Sequence, residues 1–213
     1  MIASSTLVAP PYPWLVRATA AERRALLEVA QAVGMRDGAA LAAVITSESG
    51  GNPSAPAQTT GYPRAGLIQI TQGARLPGLD TPERIWAVRS WGIERQLRQV
   101  VLPYYARLAP LAPDTTADLL YRLNFLPADA HQPDDFRVGD AASESQWRRV
   151  VYEQNRGFDR EGKGYITWGD VGATIRAVEA RAPGPWVTVG TDPPPLLFLL
   201  AAAAVAAAAL HYC

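Results

Sequence analysis

The apolar residues of this chain recur mainly at spacings of three and four, at which side chains share one face of an α-helix. A capping-box pattern at Thr19 opens a first predicted helix over 20–33. A second helix is predicted after Asp37 and ends at Gly50. The spacing places Glu48 on the apolar face of this second helix, in its last turn.

Four further helices are predicted from the same signals. They begin near Thr81, between Asp114 and Thr116, at Ser143 with its capping-box partner Gln146, and near Gly169. The first of them is expected to run as one long helix until Pro103 kinks or ends it, with Trp86 on its apolar face.

The segment 50–81 is rich in glycine, proline, serine and threonine, which predicts a long loop. Within it, residues 66–71 (GLIQIT) predict one short strand. The fold class that follows is mainly α, with a small β element.

Charge and composition exclude several classes of function. The chain has 213 residues with 20 Lys+Arg against 20 Asp+Glu, so a nucleic-acid partner held by phosphate contacts is not expected. Two histidines do not suffice for a histidine-rich metal site, and the single cysteine, Cys213, excludes a disulfide within the chain.

Glu48 is the first candidate for chemistry. Burial and the negative end of the helix dipole both raise the pKa of a carboxyl group at such a position. A carboxyl group that stays protonated near neutral pH can act as the general acid in glycosidic cleavage. The alternative interpretation is that Glu48 turns outward at a frayed helix end and is solvated.

The residues around Glu48 carry a family resemblance. The stretch Ser47-Glu48-Ser49-Gly50-Gly51-Asn52-Pro53 is followed by Gly66-Leu67-Ile68-Gln69. Together they resemble the signature of the soluble lytic transglycosylase and goose-type lysozyme superfamily. The resemblance implies a lysozyme-like fold, with Glu48 as the catalytic acid and base, Ser49 beside the cleaved bond, and Gln69 as a polar wall of the sugar groove.

Further substrate-binding candidates are aromatic or amide residues. Tyr62, in the loop between the two motif halves, is expected to line the groove because sugar rings stack on aromatic planes. The family's third motif, Ala-Tyr-Asn, has an imperfect counterpart in Tyr121 and Asn124, which are three positions apart. Tyr121 could equally be a core aromatic of its helix.

The implied activity is that of a peptidoglycan lytic transglycosylase. No Asp or Glu occurs between Ser49 and Ile70, so a second carboxylate to activate water has no candidate there. This favours cleavage of the β-1,4 bond between N-acetylmuramic acid and N-acetylglucosamine by Glu48 alone, without a metal. The alternatives are a hydrolytic lysozyme or a non-catalytic glycan-binding or structural component.

A second resemblance is to an EF-hand loop. Its ligand positions would be Asp159, Glu161, Tyr165, Thr167 and Asp170. Lys163 occupies another ligand position, and its charge opposes calcium binding. The favoured interpretation is a clasp without metal, in which Lys163 neutralises Asp159 or Glu161, so no cofactor is expected.

The last part of the chain differs sharply in composition. After Asp192 come three prolines, and residues 196–210 are an uncharged apolar run. A helix over this run would expose apolar side chains on all sides, so it is expected to pack against a protein surface or to enter a membrane. Its many alanines and the absence of flanking Lys or Arg favour a protein surface.

These observations predict five segments and a location. The segments are an N-terminal arm (1–18), a lysozyme-like catalytic core (19–130), a helical extension with the EF-hand-like loop (131–185), a proline-rich linker (186–195) and an apolar tail helix (196–213).

Residues 1–17 do not resemble a signal peptide, because they lack an early positive charge and contain three prolines. The expected location is a bacteriophage virion or its tail, with action on the bacterial cell wall; a protein anchored in the bacterial envelope is the alternative.

Overall fold

The computed structural model describes residues 12–56, 63–108 and 111–181. The predictions for Tyr62, the proline-rich linker and the apolar tail helix concern residues outside these ranges. Within them, no helix combines the length and the apolar character that a membrane-spanning segment requires.

The described residues are mostly helical, which confirms the mainly α class. The helices are α1 (Pro13–Arg17), α2 (Ala20–Ala32), α3 (Ala39–Ser49), α4 (Pro82–Ala87), α5 (Ile93–Gln96), α6 (Leu102–Leu108), α7 (Ala117–Phe125), α8 (Gln146–Gln154) and α9 (Trp168–Ala180). The strands are β1 (Arg137–Asp140) and β2 (Tyr165–Thr167).

The described chain forms two compact units, one up to Thr115 and one from Thr116 to Arg181. α7 lies in the second of these units, whereas the predicted boundary between core and extension falls after it, between 130 and 131. The described end of the N-terminal arm is also part of the first unit's core, because Trp14 and Leu15 of α1 are buried.

The core of the first unit surrounds α3. Six successive residues of α3, from Ala40 to Ile45, are buried, so this helix is enclosed by protein on all sides. Asp37 accepts a hydrogen bond from the N–H of Ala39 at 2.8 Å where the helix begins. Gly50 ends it in the left-handed conformation, at φ 62°.

The capping signal at Thr19 predicted the start of α2 correctly. The Thr19 side chain accepts from the N–H of Glu22 at 3.2 Å, and the Glu22 carboxylate accepts from the N–H of Thr19 at 2.8 Å. The two bonds satisfy backbone donors that a helix start leaves unpaired.

The prediction of one long helix from Thr81 to Pro103 was wrong. The chain leaves the helix after α4, turns at residues 88–92, and resumes in α5. It then continues through a π-helical turn, Leu97–Val101, into α6, which contains Pro103. Trp86, expected on the apolar face of its helix, is 40 % exposed in α4, whereas its neighbour Ile85 is buried.

The predicted strand over 66–71 is instead a tight turn. Ala65 and Ile70 exchange backbone hydrogen bonds of 2.9 and 3.1 Å, and the four residues between them reverse the chain. Gly66 and Gln69 have positive φ, 75° and 51°, whereas a regular strand requires negative φ.

The second unit joins α7, α8 and α9 through the antiparallel pair β1 and β2, in which Gly139 lies opposite Ile166. This pair was not predicted.

The predicted capping box at Ser143 was wrong. Helix α8 begins after Ser145, and the Ser143 hydroxyl accepts from the N–H of Ser145 at 3.2 Å. Thr167 and Asp170 form a capping box that opens α9.

Two adjacent glycines allow a matched stability test. A Cβ built on Gly51, at φ 75°, would lie 2.0 Å from Cγ of Trp14, whereas one on Gly50, at φ 62°, would have no heavy atom of the described residues within 4 Å. We expect Gly50→Ala to cost about 1–2 kcal/mol for the left-handed backbone, and Gly51→Ala about 1–3 kcal/mol more for the overlap with Trp14. Urea unfolding of both variants measures the difference, and equal losses would contradict the packing of Trp14 on Gly51.

Candidate active site

Glu48 lies where the enclosed helix α3 becomes accessible. Residues up to Ile45 are buried, whereas Thr46, Ser47, Glu48 and Ser49 are half-buried. Trp14 Nε1 donates to Thr46 Oγ1 at 2.9 Å, and Thr46 Oγ1 donates to Ala42 O at 2.7 Å. The last turn of α3 is therefore fixed by α1, and Glu48 lies at the edge of the core.

Ser49 joins the two halves of the family motif. Its Oγ lies 3.1 Å from Ile45 O in α3 and 2.9 Å from Leu67 O in the turn Gly66–Gln69, and it can donate to either. The structure thus brings the Glu48-Ser49 pair and the Gly-Leu-Ile-Gln stretch together, although 18 residues separate the two bonded positions.

The residues of the Gly66–Gln69 turn suit their positions in it. Leu67 and Ile68 are each 1 % exposed and anchor the turn. Gly66 has positive φ, and a Cβ there would lie 2.3 Å from Oε1 of Gln96. Only glycine fits this position without a shift of Gln96.

Gln69 is half-buried and has left-handed backbone geometry. Its Nε2 donates to Gly66 O at 3.0 Å, which closes the turn from within. The side chain proposed as a wall of the sugar groove therefore also stabilises the turn that carries it.

Tyr104 is a residue near Glu48 that the sequence analysis did not identify. It lies on α6, is 7 % exposed, and packs edge-on against Tyr105, with ring centroids 5.2 Å apart. Burial raises the pKa of the Tyr104 hydroxyl, and the negative charge of Glu48 raises this pKa further. The phenol is therefore protonated over the physiological pH range and lies within electrostatic range of Glu48.

The other proposed substrate-binding residues belong to other parts of the chain. Tyr62 lies outside the described residues. Tyr121 and Asn124 belong to α7 in the second unit. There Tyr121 is 6 % exposed and packs in an aromatic cluster with Phe125 and Phe158, at centroid distances of 6.4 and 6.5 Å.

The EF-hand-like loop is held by hydrogen bonds among its own residues and with α8. Asp159 accepts from the backbone N–H groups of Lys163 and Gly164, each at 2.8 Å, and from the Tyr152 hydroxyl at 3.0 Å. Gly164, at the sixth loop position, has φ 81°. The loop then enters β2.

The side-chain partner of Lys163 differs from the one expected. Its Nζ donates to both carboxylate oxygens of Asp170, at 2.8 and 3.0 Å, and not to Asp159 or Glu161. Asp170 also accepts from the N–H and the hydroxyl of Thr167, each at 2.8 Å. The carboxylate at the last loop position is thus already surrounded by three donors, one of them a cation.

A metal would have to displace these contacts. Among the described residues, no three His, Cys, Asp or Glu side chains are grouped closely enough to hold a metal ion. At the last loop position, Lys163 Nζ occupies the carboxylate oxygens of Asp170 that a calcium ion would need.

Comparison with known proteins assigns no family to the chain: no family model, curated protein or solved structure matches it. The assignment of a function therefore rests on the geometry of the site and on the motif resemblance.

The contacts of Asp170 predict how stability depends on pH. Although burial raises the pKa of the Asp170 carboxyl, the hydrogen bonds from Lys163 and Thr167 outweigh it and hold that pKa below its ordinary value. A group whose pKa is lower in the folded state contributes stability above its unfolded pKa, about 3.9. This contribution is lost as the pH falls through the folded pKa.

We therefore expect Asp170→Asn to lower the urea midpoint at pH 7, and the difference from wild type to shrink at about pH 3. The exposed Asp135 provides the control, since Asp135→Asn should change the midpoint little at either pH. A loss at pH 7 that persists undiminished in acid would contradict the ionic role of Asp170.

The same contacts predict that calcium is not needed for folding. We expect the melting temperature to be the same in chelator and in millimolar calcium, because Lys163 supplies the positive charge. A ligand that binds only the folded state stabilises it by about 2.7 kcal/mol at one hundred times its dissociation constant. A melting temperature that rises with calcium concentration would contradict the prediction.

Proposed function

We propose that this chain is a peptidoglycan lytic transglycosylase that uses Glu48 as its single catalytic acid and base. The observation that carries the proposal is the environment of Glu48. It lies half-buried in the last turn of the enclosed helix α3, followed by Ser49, which is hydrogen-bonded to the Gly66–Gln69 turn. This is the arrangement that the motif resemblance implies for a lysozyme-like site.

The distribution of acidic residues supports a mechanism with one carboxyl group. Five other acids of the first unit are engaged at helix starts or in ion pairs: Glu22 and Asp37 accept from backbone N–H groups where α2 and α3 begin, Glu28 and Glu94 pair with Arg98, and Asp80 pairs with Arg84. Glu83 and Asp114 are exposed. A hydrolytic glycosidase requires a second carboxyl group about 5 to 9.5 Å from the first. Cleavage without water does not require this group.

In the proposed reaction, Glu48 donates its proton to the oxygen that bridges N-acetylmuramic acid and N-acetylglucosamine, and the bond from this oxygen to the anomeric carbon breaks. The resulting carboxylate accepts the proton of the muramic C6 hydroxyl. That oxygen then bonds to the anomeric carbon of the same sugar. The products are a 1,6-anhydromuramoyl end and an N-acetylglucosamine end whose C4 hydroxyl carries the donated proton, and the protonated Glu48 is restored.

Mass spectrometry of muropeptides released from purified sacculi tests this proposal. We expect anhydro ends from the wild-type protein. Glu48→Gln should release them at least about 100-fold more slowly, because proton transfer by a positioned group contributes roughly 10² to 10⁴ in rate. The exposed Glu83 is the matched control, and Glu83→Gln should keep wild-type activity.

Each other outcome contradicts part of the proposal. Reducing ends from the wild-type protein would indicate a hydrolytic lysozyme, and no release at all would indicate a non-catalytic glycan-binding protein. Unchanged activity of a folded Glu48→Gln variant, with folding checked by circular dichroism, would show that another residue is the acid.

A further inference from the structure

Gln96 is a buried polar residue that the sequence analysis did not consider. It lies on α5, is 1 % exposed, and follows Ile93 and precedes Leu97 on the apolar face of the helix. A buried amide is costly unless its donors and acceptor are satisfied. The partners of this amide therefore indicate its role.

The side chain of Gln96 contacts two segments that are distant in sequence and a third that lies just before α5. Its Oε1 accepts from the N–H of Leu67 at 2.9 Å. Its Nε2 lies 2.8 Å from Pro53 O, 2.8 Å from Val88 O and 2.9 Å from Trp91 O, so its two protons serve three carbonyl groups. Pro53 belongs to the loop that follows Glu48, and Leu67 to the turn that carries Gln69.

We propose that Gln96 is a positioning residue of the candidate active site, whose amide fixes the turn Gly66–Gln69 against the segment that follows Glu48. This inference rests on the proposed function for its consequence in catalysis. Gln96 touches none of the proposed reacting groups and acts through the two segments that it binds.

The backbone of Leu67 shows how this positioning works. Its N–H is bound by Gln96, and its C=O accepts from Ser49, the residue next to Glu48. The peptide groups of Leu67 therefore connect Gln96 to the end of α3, while Pro53 connects Gln96 to the loop just beyond it. A movement of the Gln96 amide would shift the turn relative to Glu48.

The chemistry of an amide is required at this place. A glutamate would direct carboxylate oxygens at three carbonyl groups, and an apolar side chain would leave buried N–H and C=O groups unpaired. Gly66 adds a steric requirement, since it is the glycine that lets the turn approach Oε1 of Gln96.

The test compares Gln96→Met with a variant that is destabilised elsewhere in the same unit. Val29→Ala serves as this control, because Val29 is fully buried on α2 and its truncation leaves a cavity. Both variants are assayed on soluble glycan strands at a temperature at which unfolding curves show them to be folded. We expect Gln96→Met to lower kcat roughly 10- to 100-fold with little change in KM, and Val29→Ala to leave kcat unchanged.

Amide hydrogen exchange gives a second readout that does not depend on activity. In Gln96→Met, the N–H groups of Leu67 and Ile70 should exchange faster than in Val29→Ala at matched stability, because the turn has lost its anchor. A kcat for Gln96→Met equal to that of the control would overturn the proposal. If the wild-type protein releases no muropeptides, the proposed function fails separately, and unchanged exchange at Leu67 would then overturn the positioning role.

Gln96→Asn is the second variant if Gln96→Met does not fold. It keeps the amide but shortens the side chain by one methylene, so it cannot reach Leu67 and Pro53 together. We expect a reduced kcat with unchanged KM and faster exchange at Leu67. Wild-type values for both would overturn the proposal.

Discussion

An α-helix that is apolar on every side must be enclosed by the rest of the protein, and α3 imposes this constraint on the first unit. Its buried stretch, Ala40 to Ile45, contains three alanines, whose small side chains let neighbouring segments approach closely. The enclosure ends where the side chains become polar. The position of Glu48 at the edge of the core is therefore a consequence of how α3 is buried.

The segments around the end of α3 come from distant parts of the sequence, and polar contacts hold them there. Trp14 reaches Thr46 from α1, Ser49 reaches the turn at Leu67, and Gln96 binds that turn from α5. A buried donor or acceptor left without a partner costs about 1–3 kcal/mol. This penalty makes the arrangement specific, since few alternative packings would satisfy the same groups.

The features that could be predicted from the sequence are those determined by neighbouring residues. The cap at Thr19, the stop at Gly50 and the placement of Glu48 in the last turn of α3 all depend on residues within a few positions. The stretch GLIQIT was predicted to be a strand, and the positive φ of Gln69 that makes it a turn has no local signal in a residue other than glycine. Three other features depend on tertiary contacts: the break after α4, the pairing of β1 with β2, and the ion pair between Lys163 and Asp170.

In the candidate site, too, some residues had a signal in the local sequence and others are positioned by tertiary contacts alone. Glu48, Ser49 and Gln69 were found through a motif, and Ser49 and the Gln69 turn are in direct contact. Gln96 had one local signal, a polar residue within an apolar stripe, but the two partners that connect it to the candidate site, Leu67 and Pro53, are 29 and 43 positions away. Tyr104 had none, because its position beside Glu48 follows from the path of α6 after the π-helical turn.

Digestion of sacculi in water enriched in oxygen-18 tests the central claim most directly, that one carboxyl group cleaves the glycan without a water molecule. The 1,6-anhydro linkage takes its oxygen from the muramic sugar itself. The account predicts muramoyl ends that contain no heavy oxygen when the wild-type protein acts. Incorporation of one heavy oxygen at the anomeric carbon during cleavage would show that water is the nucleophile and would contradict the single-carboxylate mechanism.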